Sequence, residues 1–116
     1  DTGRSVDYYD LIVTGDLASF GYKMAVRLAA ERNLTLGQNY RDCGVMVYDL
    51  SRQNVNAGGS GCASSAIVTC GHLLKEMARG RLRRLLVVST GSLFSPTSFQ
   101  QGESIPTIAH AVALEA

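Results

Sequence analysis

The chain has 116 residues, 46% of them hydrophobic, which suffices for one core in a single domain. Eleven Lys and Arg against ten Asp and Glu give a formal charge of +1, which excludes the strong basic field that nucleic acid or an anionic membrane calls for. Cys43, Cys62 and Cys70 match neither a CxxC pair nor a zinc spacing, and no apolar run approaches the roughly 20 residues of a membrane span, so reduced thiols in a soluble cytosolic protein are expected.

Tyr8 to Asp16 (YYDLIVTGD) rises into a β-branched apolar run and stops at Gly-Asp, which predicts a buried strand and a turn. From Ser19, an N-cap residue type, Met24, Ala25, Leu28 and Ala29 recur at helical spacing. Asn33, which tolerates the left-handed conformation, ends this first helix. Leu34 to Arg41 carries Gly37 and Asn39 without periodicity and reads as a connection. Cys43 to Asp49 (CGVMVYD) fits a strand or a buried helical segment equally, and Ser51 to Ala57 is a polar loop. From Gly61 the positions Ala66, Ile67, Cys70, Leu73, Leu74 and Met77 mark one apolar stripe of a second helix that Gly80 stops. Its first turns are small residues, suited to close packing on all sides. Leu85 to Gly91 predicts a strand, Ser92 to Pro106 a polar loop with both prolines, and Ile108 to Leu114 a last strand. This order belongs to an α/β protein with a mostly parallel sheet. An opening on Asp1 and a close within an apolar run suggest a piece of a longer protein.

The stretch GGSGCASSA, Gly58 to Ala66, leads a glycine run into a helix. Free main-chain N–H groups there, with the hydroxyls of Ser60, Ser64 and Ser65, suit a carboxylate or phosphate, and a purely structural turn fits as well. Without a P-loop Lys or a GxGxxG pattern, a nucleotide is disfavoured. Cys62 sits where the helix dipole lowers a thiol pKa, but a nucleophile needs a base. His72 lies ten residues along the same helix, roughly 15 Å away at 1.5 Å per residue, which leaves His110, and a packing thiol is the commoner role. Asp16 follows the carboxyl end of a strand, where α/β proteins bind ligands, and equally suits a turn. Asp42 is less informative. Lys75, Arg79, Arg81, Arg83 and Arg84 form a basic cluster that reads as a solvated helix end. HExxH, an EF-hand loop and paired Cys/His spacings are absent, so no metal site and no cofactor are expected.

Taken in order, Asp10 to Leu17 (DLIVTGDL), Asp42-Cys43-Gly44, Ala57 to Cys62 (AGGSGC), Gly71-His72-Leu73-Leu74-Lys75, Ser104-Ile105-Pro106 and Ala109-His110-Ala111-Val112 resemble the C-terminal half of the stage V sporulation protein AD family, itself similar to the thiolases and the ketoacyl carrier-protein synthases. The resemblance covers nearly the whole chain. It implies that residues 1–116 are a C-terminal thiolase-like half-domain, a three-layer α/β/α unit around a mixed, mostly parallel five-stranded sheet whose last strand is antiparallel. Condensing enzymes of that fold carry the nucleophilic cysteine in the other half. Their C-terminal half supplies a histidine where this chain has Thr14-Gly15-Asp16 and an asparagine where it has Gly58-Gly59-Ser60.

The resemblance therefore implies a non-catalytic protein that binds dipicolinic acid, held as its calcium complex, and assists its uptake into the developing bacterial spore. Asp16, Gly58, Gly59, Ser60, Gly61, Cys62 and His110 are the implied ligand-binding residues. Implied partners are membrane proteins of the same operon, the N-terminal half of the same protein and a second copy in a homodimer, with no nucleic acid. The implied location is the developing spore, soluble and peripheral to its inner membrane. The alternative is an acyltransferase of the same superfamily, its nucleophile in the N-terminal half and Cys62 or His110 assisting. A third reading makes this half a scaffold alone.

Overall fold

Leu11–Thr14, apolar and β-branched, becomes the inner strand β1 of a four-stranded sheet in the computed structural model of the chain, which describes residues 3–92 and 95–116. On one side β1 pairs in parallel with β2 (Tyr40–Asp42), and on the other in parallel with β3 (Arg84–Ser92). The last strand, β4 (Thr107–Glu115), runs antiparallel to β3, giving the order β2-β1-β3-β4. The sheet is mixed and mostly parallel, as expected, but it holds four strands among the described residues rather than five.

Alternation along the strands divides the core in two. Ile12 faces helix α1 (Ala18–Glu31) and joins Tyr9, Tyr40, Tyr22, Ala25, Val26, Leu86 and Val88. Val13, Leu85 and Val87 point the other way, toward α2 (Cys43–Met46) and a long helical rod. That rod comprises α3 (Ala63–Val68), a π-turn (Thr69–Leu73) and α4 (Leu74–Ala78), so helices cover both faces in three layers.

The rod corrects the expected stripe. Ser64, Val68, Leu73 and Met77 are its buried residues, whereas Ala66, Ile67, Cys70 and Leu74 are exposed. A π-turn carries more residues per turn than an α-helix, which brings Val68 and Leu73, five apart in sequence, onto the same side and rotates the other apolar positions outward. Gly80, at φ +70°, ends the rod as expected, and Asn33, at φ +59°, follows α1 in the same left-handed conformation.

Three other expectations change. The connection predicted over Leu34 to Arg41 ends in β2, whose three residues are too few to show a period. Cys43 to Asp49 is not a strand: Asp42 is extended, accepts from the Val45 amide and starts the short helix α2. The loop over Ser92 to Pro106 contains α5 (Pro96–Gln100), capped by Ser95 and opened by Pro96, with residues 93 and 94 outside the described set. None of the helices among the described residues is long and apolar enough to cross a membrane.

Candidate functional site

The carboxyl ends of β1 and β2 are joined through one buried carboxylate. Asp42, 1% exposed, accepts hydrogen bonds from the Thr14 hydroxyl at 2.7 Å, the Leu17 and Ala18 amides at 3.0 Å each and the Val45 amide at 3.2 Å. It therefore caps both α1 and α2. Ser19, the expected cap of α1, lies inside the helix, and its amide donates to the Ala57 carbonyl at 2.8 Å. That bond ties the β1–α1 turn, which carries Asp16, to the glycine loop. Thr14 Oγ1 also meets the Tyr40 hydroxyl at 2.9 Å, and Tyr40 stacks on Tyr22. Burial pushes the Tyr40 hydroxyl's pKa up.

Next to this hub two backbones cross. The Gly59 amide donates to the Gly44 carbonyl at 2.7 Å, and a Cβ on Gly44 would lie 1.9 Å from the Gly59 carbonyl oxygen. Gly58 is held at φ +105°, where a side chain is strained, and a Cβ there would lie 2.7 Å from the Gly44 carbonyl oxygen. Gly44, Gly58 and Gly59 are thus glycines for a packing reason. Gly61 is not: a Cβ at that position would meet nothing within 4 Å.

After the crossing the chain opens an exposed groove of about 420 Å³ between α2 and the start of α3. Val47, Tyr48, Val55 and Ile67 form apolar walls, and Gly58 to Gly61, Ala63 and Ser64 supply backbone and hydroxyl. The amides of Gly58, Gly59 and Ser64 are satisfied by the carbonyls of Val55, Gly44 and Gly61. Those of Ser60, Gly61, Cys62 and Ala63 donate to no backbone or side-chain acceptor among the described residues. They are the open N–H groups with which a helix begins, aligned with the positive end of its dipole. No Lys or Arg lines the groove.

The seven residues singled out in the sequence do not all converge there. Gly58, Gly59, Ser60 and Gly61 line the groove, whereas Asp16, Cys62 and His110 do not. Cys62 is exposed in the turn before α3 and makes no capping hydrogen bond. His110 is exposed on β4, opposite Ser89 of β3. The groove's apolar walls carry no plain signal in the sequence, since Val47 and Tyr48 stand in a segment that fits a strand or a helix equally. Asp42 was undervalued as well, despite the signal of an acidic residue three before Val45 at a strand-to-helix junction.

The remaining chemistry is quiet. Cys43 is fully buried, and burial, reinforced by the charge of Asp42, pushes its thiol up to about 11, far from a thiolate. The basic cluster is largely paired: Arg81 and Arg79 bind Glu76, and Arg84 binds Asp10. Asp10 also accepts from the amides of Arg83 and Arg84, and these hydrogen bonds hold its carboxyl below the usual range. Among the described residues no group of three or more His, Cys, Asp or Glu gathers as a metal site.

A family model described as Stage V sporulation protein AD (SpoVAD) matches residues 1–115. Stage V sporulation protein AD of Bacillus subtilis (strain 168) is 48% identical over 115 residues, which cover 99% of this chain and 34% of the relative. The chain thus spans about a third of the length of the curated relative it matches.

Proposed function

Because the chain belongs to the stage V sporulation protein AD family, a family of sporulation proteins, we propose that it is part of a non-catalytic protein that binds dipicolinic acid as its calcium complex and assists its uptake into the developing spore. The observation that carries this reading is the groove at the start of α3, lined by Ser60, Gly61 and Ala63, whose amides are unengaged, and walled by Val47, Tyr48, Val55 and Ile67. A flat aromatic dicarboxylate sets its ring against such walls and a carboxylate against the amides. The lack of a lining Lys or Arg favours the calcium complex over the free dianion, since a dication and a dianion together carry no net charge to be neutralised.

Binding rather than catalysis is in keeping with the thiols. Cys43 is held neutral, and among the described residues no histidine hydrogen-bonds the exposed Cys62. Asp16 stands in the turn tied to the glycine loop through Ser19 and would meet the ligand from the α1 side. In the whole protein the groove would be completed by its N-terminal half, and membrane proteins of the same operon would receive the ligand at the inner membrane of the spore.

The test is calorimetric titration of dipicolinate, with and without calcium, into the full-length family protein and into this chain. Heat that saturates in both, and at lower concentration with calcium, is expected. Absence of binding to the full-length protein overturns the reading, and acyl transfer from a coenzyme A thioester, lost on His110→Ala, would replace it with the acyltransferase.

A further inference from the structure

We infer that α3 slides between two registers, one residue apart, and that the π-turn is the slack that lets it move. The slide itself is independent of the ligand reading. Leu73 and Met77 are buried toward the α4 end of the rod, and Ser64 and Val68 on α3, with Ser65 and Thr69 half-buried next to them. Ser64 and Val68 are four apart, as are Leu73 and Met77, in keeping with an α-helix, and only the step from Val68 to Leu73 is five. A continuous α-helix through the same Leu73 and Met77 would bury Ser65 and Thr69 in place of Ser64 and Val68.

Both sets of residues fit the same places. A shift of α3 by one residue, about 100° of rotation and 1.5 Å of advance, puts Ser65 where Ser64 stands and Thr69 where Val68 stands. Ala66 then takes the place of Ser65, and Cys70 that of Thr69. Serine replaces serine, threonine has the shape of valine, and the other two exchanges are between small residues, so neither register leaves a hole or a clash. The Thr69 hydroxyl is already buried beside the Cys43 thiol with no full hydrogen bond, so its move into the place of Val68 adds no new buried polar group. The observed register keeps Val68 in the core and bears the π-turn. The shifted one loses the turn and turns Val68 outward.

The chain before α3 has room for the extra residue. Gly59 is fixed by its crossing with Gly44, whereas Ser60, Gly61 and Cys62 are exposed, and Gly61 has open space around it. The groove feels the slide, because Ala63, Ser64 and Ile67 line it. Ser64, Ser65 and Val68 move into their places, and the helix wall advances toward the glycine loop. The shifted register is thus the closed form of the groove. This closing role, unlike the slide, rests on the binding proposed above.

Cys70 reports the register, since it is exposed now and takes the place of Thr69, beside Cys43, after the slide. The test treats the full chain with diamide, which accepts two electrons and two protons from a pair of thiols, and maps disulfides by mass spectrometry. Parallel samples with iodoacetamide time the unfolding that exposes Cys43. A Cys43–Cys70 bond that forms several-fold faster than Cys43 is alkylated is expected, and deleting Gly71, which joins the observed faces without a π-turn, should abolish it. No such bond in the natural chain, or one that forms only as fast as Cys43 is alkylated, overturns the slide, and neither result depends on the deletion variant folding. Calcium dipicolinate should speed the bond several-fold. Calorimetric binding that leaves the rate unchanged overturns the closing role, whereas no binding at all counts against the groove reading and not against the slide.

Discussion

Replacing Asp42 by alanine withdraws the acceptor for three main-chain amides and one hydroxyl in a single step. Hydrogen bonds to a charged group are worth about 1.5–3 kcal/mol each. The four do not add: Thr14 retains Tyr40 as a partner at 2.9 Å, and the Leu17 and Val45 amides are only partly buried, so water can replace the lost oxygen. A loss of about 3–5 kcal/mol is therefore expected, at least about a fifth of the ~5–15 kcal/mol typical of a domain. For a domain of this size that lowers the melting temperature by roughly 12–20 °C. Asp42→Asn keeps one acceptor oxygen and should lose about half as much. Urea unfolding followed by circular dichroism measures both, with an unchanged slope showing that the denatured state is not at fault. A loss under about 1 kcal/mol for Asp42→Ala would refute the hub, because it would mean that these donors do not rely on Asp42.

Gly44→Ala should destabilise the chain by about 1–3 kcal/mol or more as the crossing is forced apart, whereas Gly61→Ala, with open space around it, should be near neutral in the same urea assay. Glu76 is held at about 2, against a usual 4.5, first by its hydrogen bonds to Arg81 and then by neighbouring positive charge. A depressed carboxyl stabilises above its unfolded value, so this contribution is present above pH 4.5 and fades as the pH falls toward 2. Carboxyl NMR should show that midpoint, and Arg81→Gln should return it toward 4.5; an unmoved midpoint would contradict the pairing. A thiol reagent should modify the exposed Cys62 and Cys70 in the native chain and reach Cys43 only on unfolding, and early labelling of all three would contradict its burial.

Reading the sequence succeeds where a pattern is long or chemically plain. The β-branched run ending at Gly15-Asp16, the helical spacing before Asn33, Gly80 as a stop and the apolar run from Leu85 all mark elements that form close to where expected. It falls short where the cause is tertiary. β2 has no periodicity to read and exists because β1 offers it a parallel edge. The cap of α1 comes from Asp42, 24 residues away from Ala18, so a local search settles on Ser19 instead. The π-turn changes the spacing of the buried face within one helix, and a fixed period of 3.6 assigns Ile67 and Leu74 to the wrong side.

The candidate site was legible in part. GGSG announced close backbone approach, and Gly44, Gly58 and Gly59 do meet another backbone, an approach made by the chain itself. Only Gly61 and the open amides beside it are left without a packing explanation. Sequence order cannot tell that His110 lies on β4, opposite Ser89, or that Cys62 does not line the groove.

The central claim is that the open amides at the start of α3 take a carboxylate of the calcium dipicolinate complex. Amide chemical shifts of the isotopically labelled chain, recorded during titration with dipicolinate and calcium, test it most directly. The largest shifts should fall on Ser60, Gly61 and Ala63, with smaller ones on Tyr48 and Ile67, and should saturate together. Shifts centred instead on Arg79 to Arg84, or none beyond those that calcium alone produces, would contradict it.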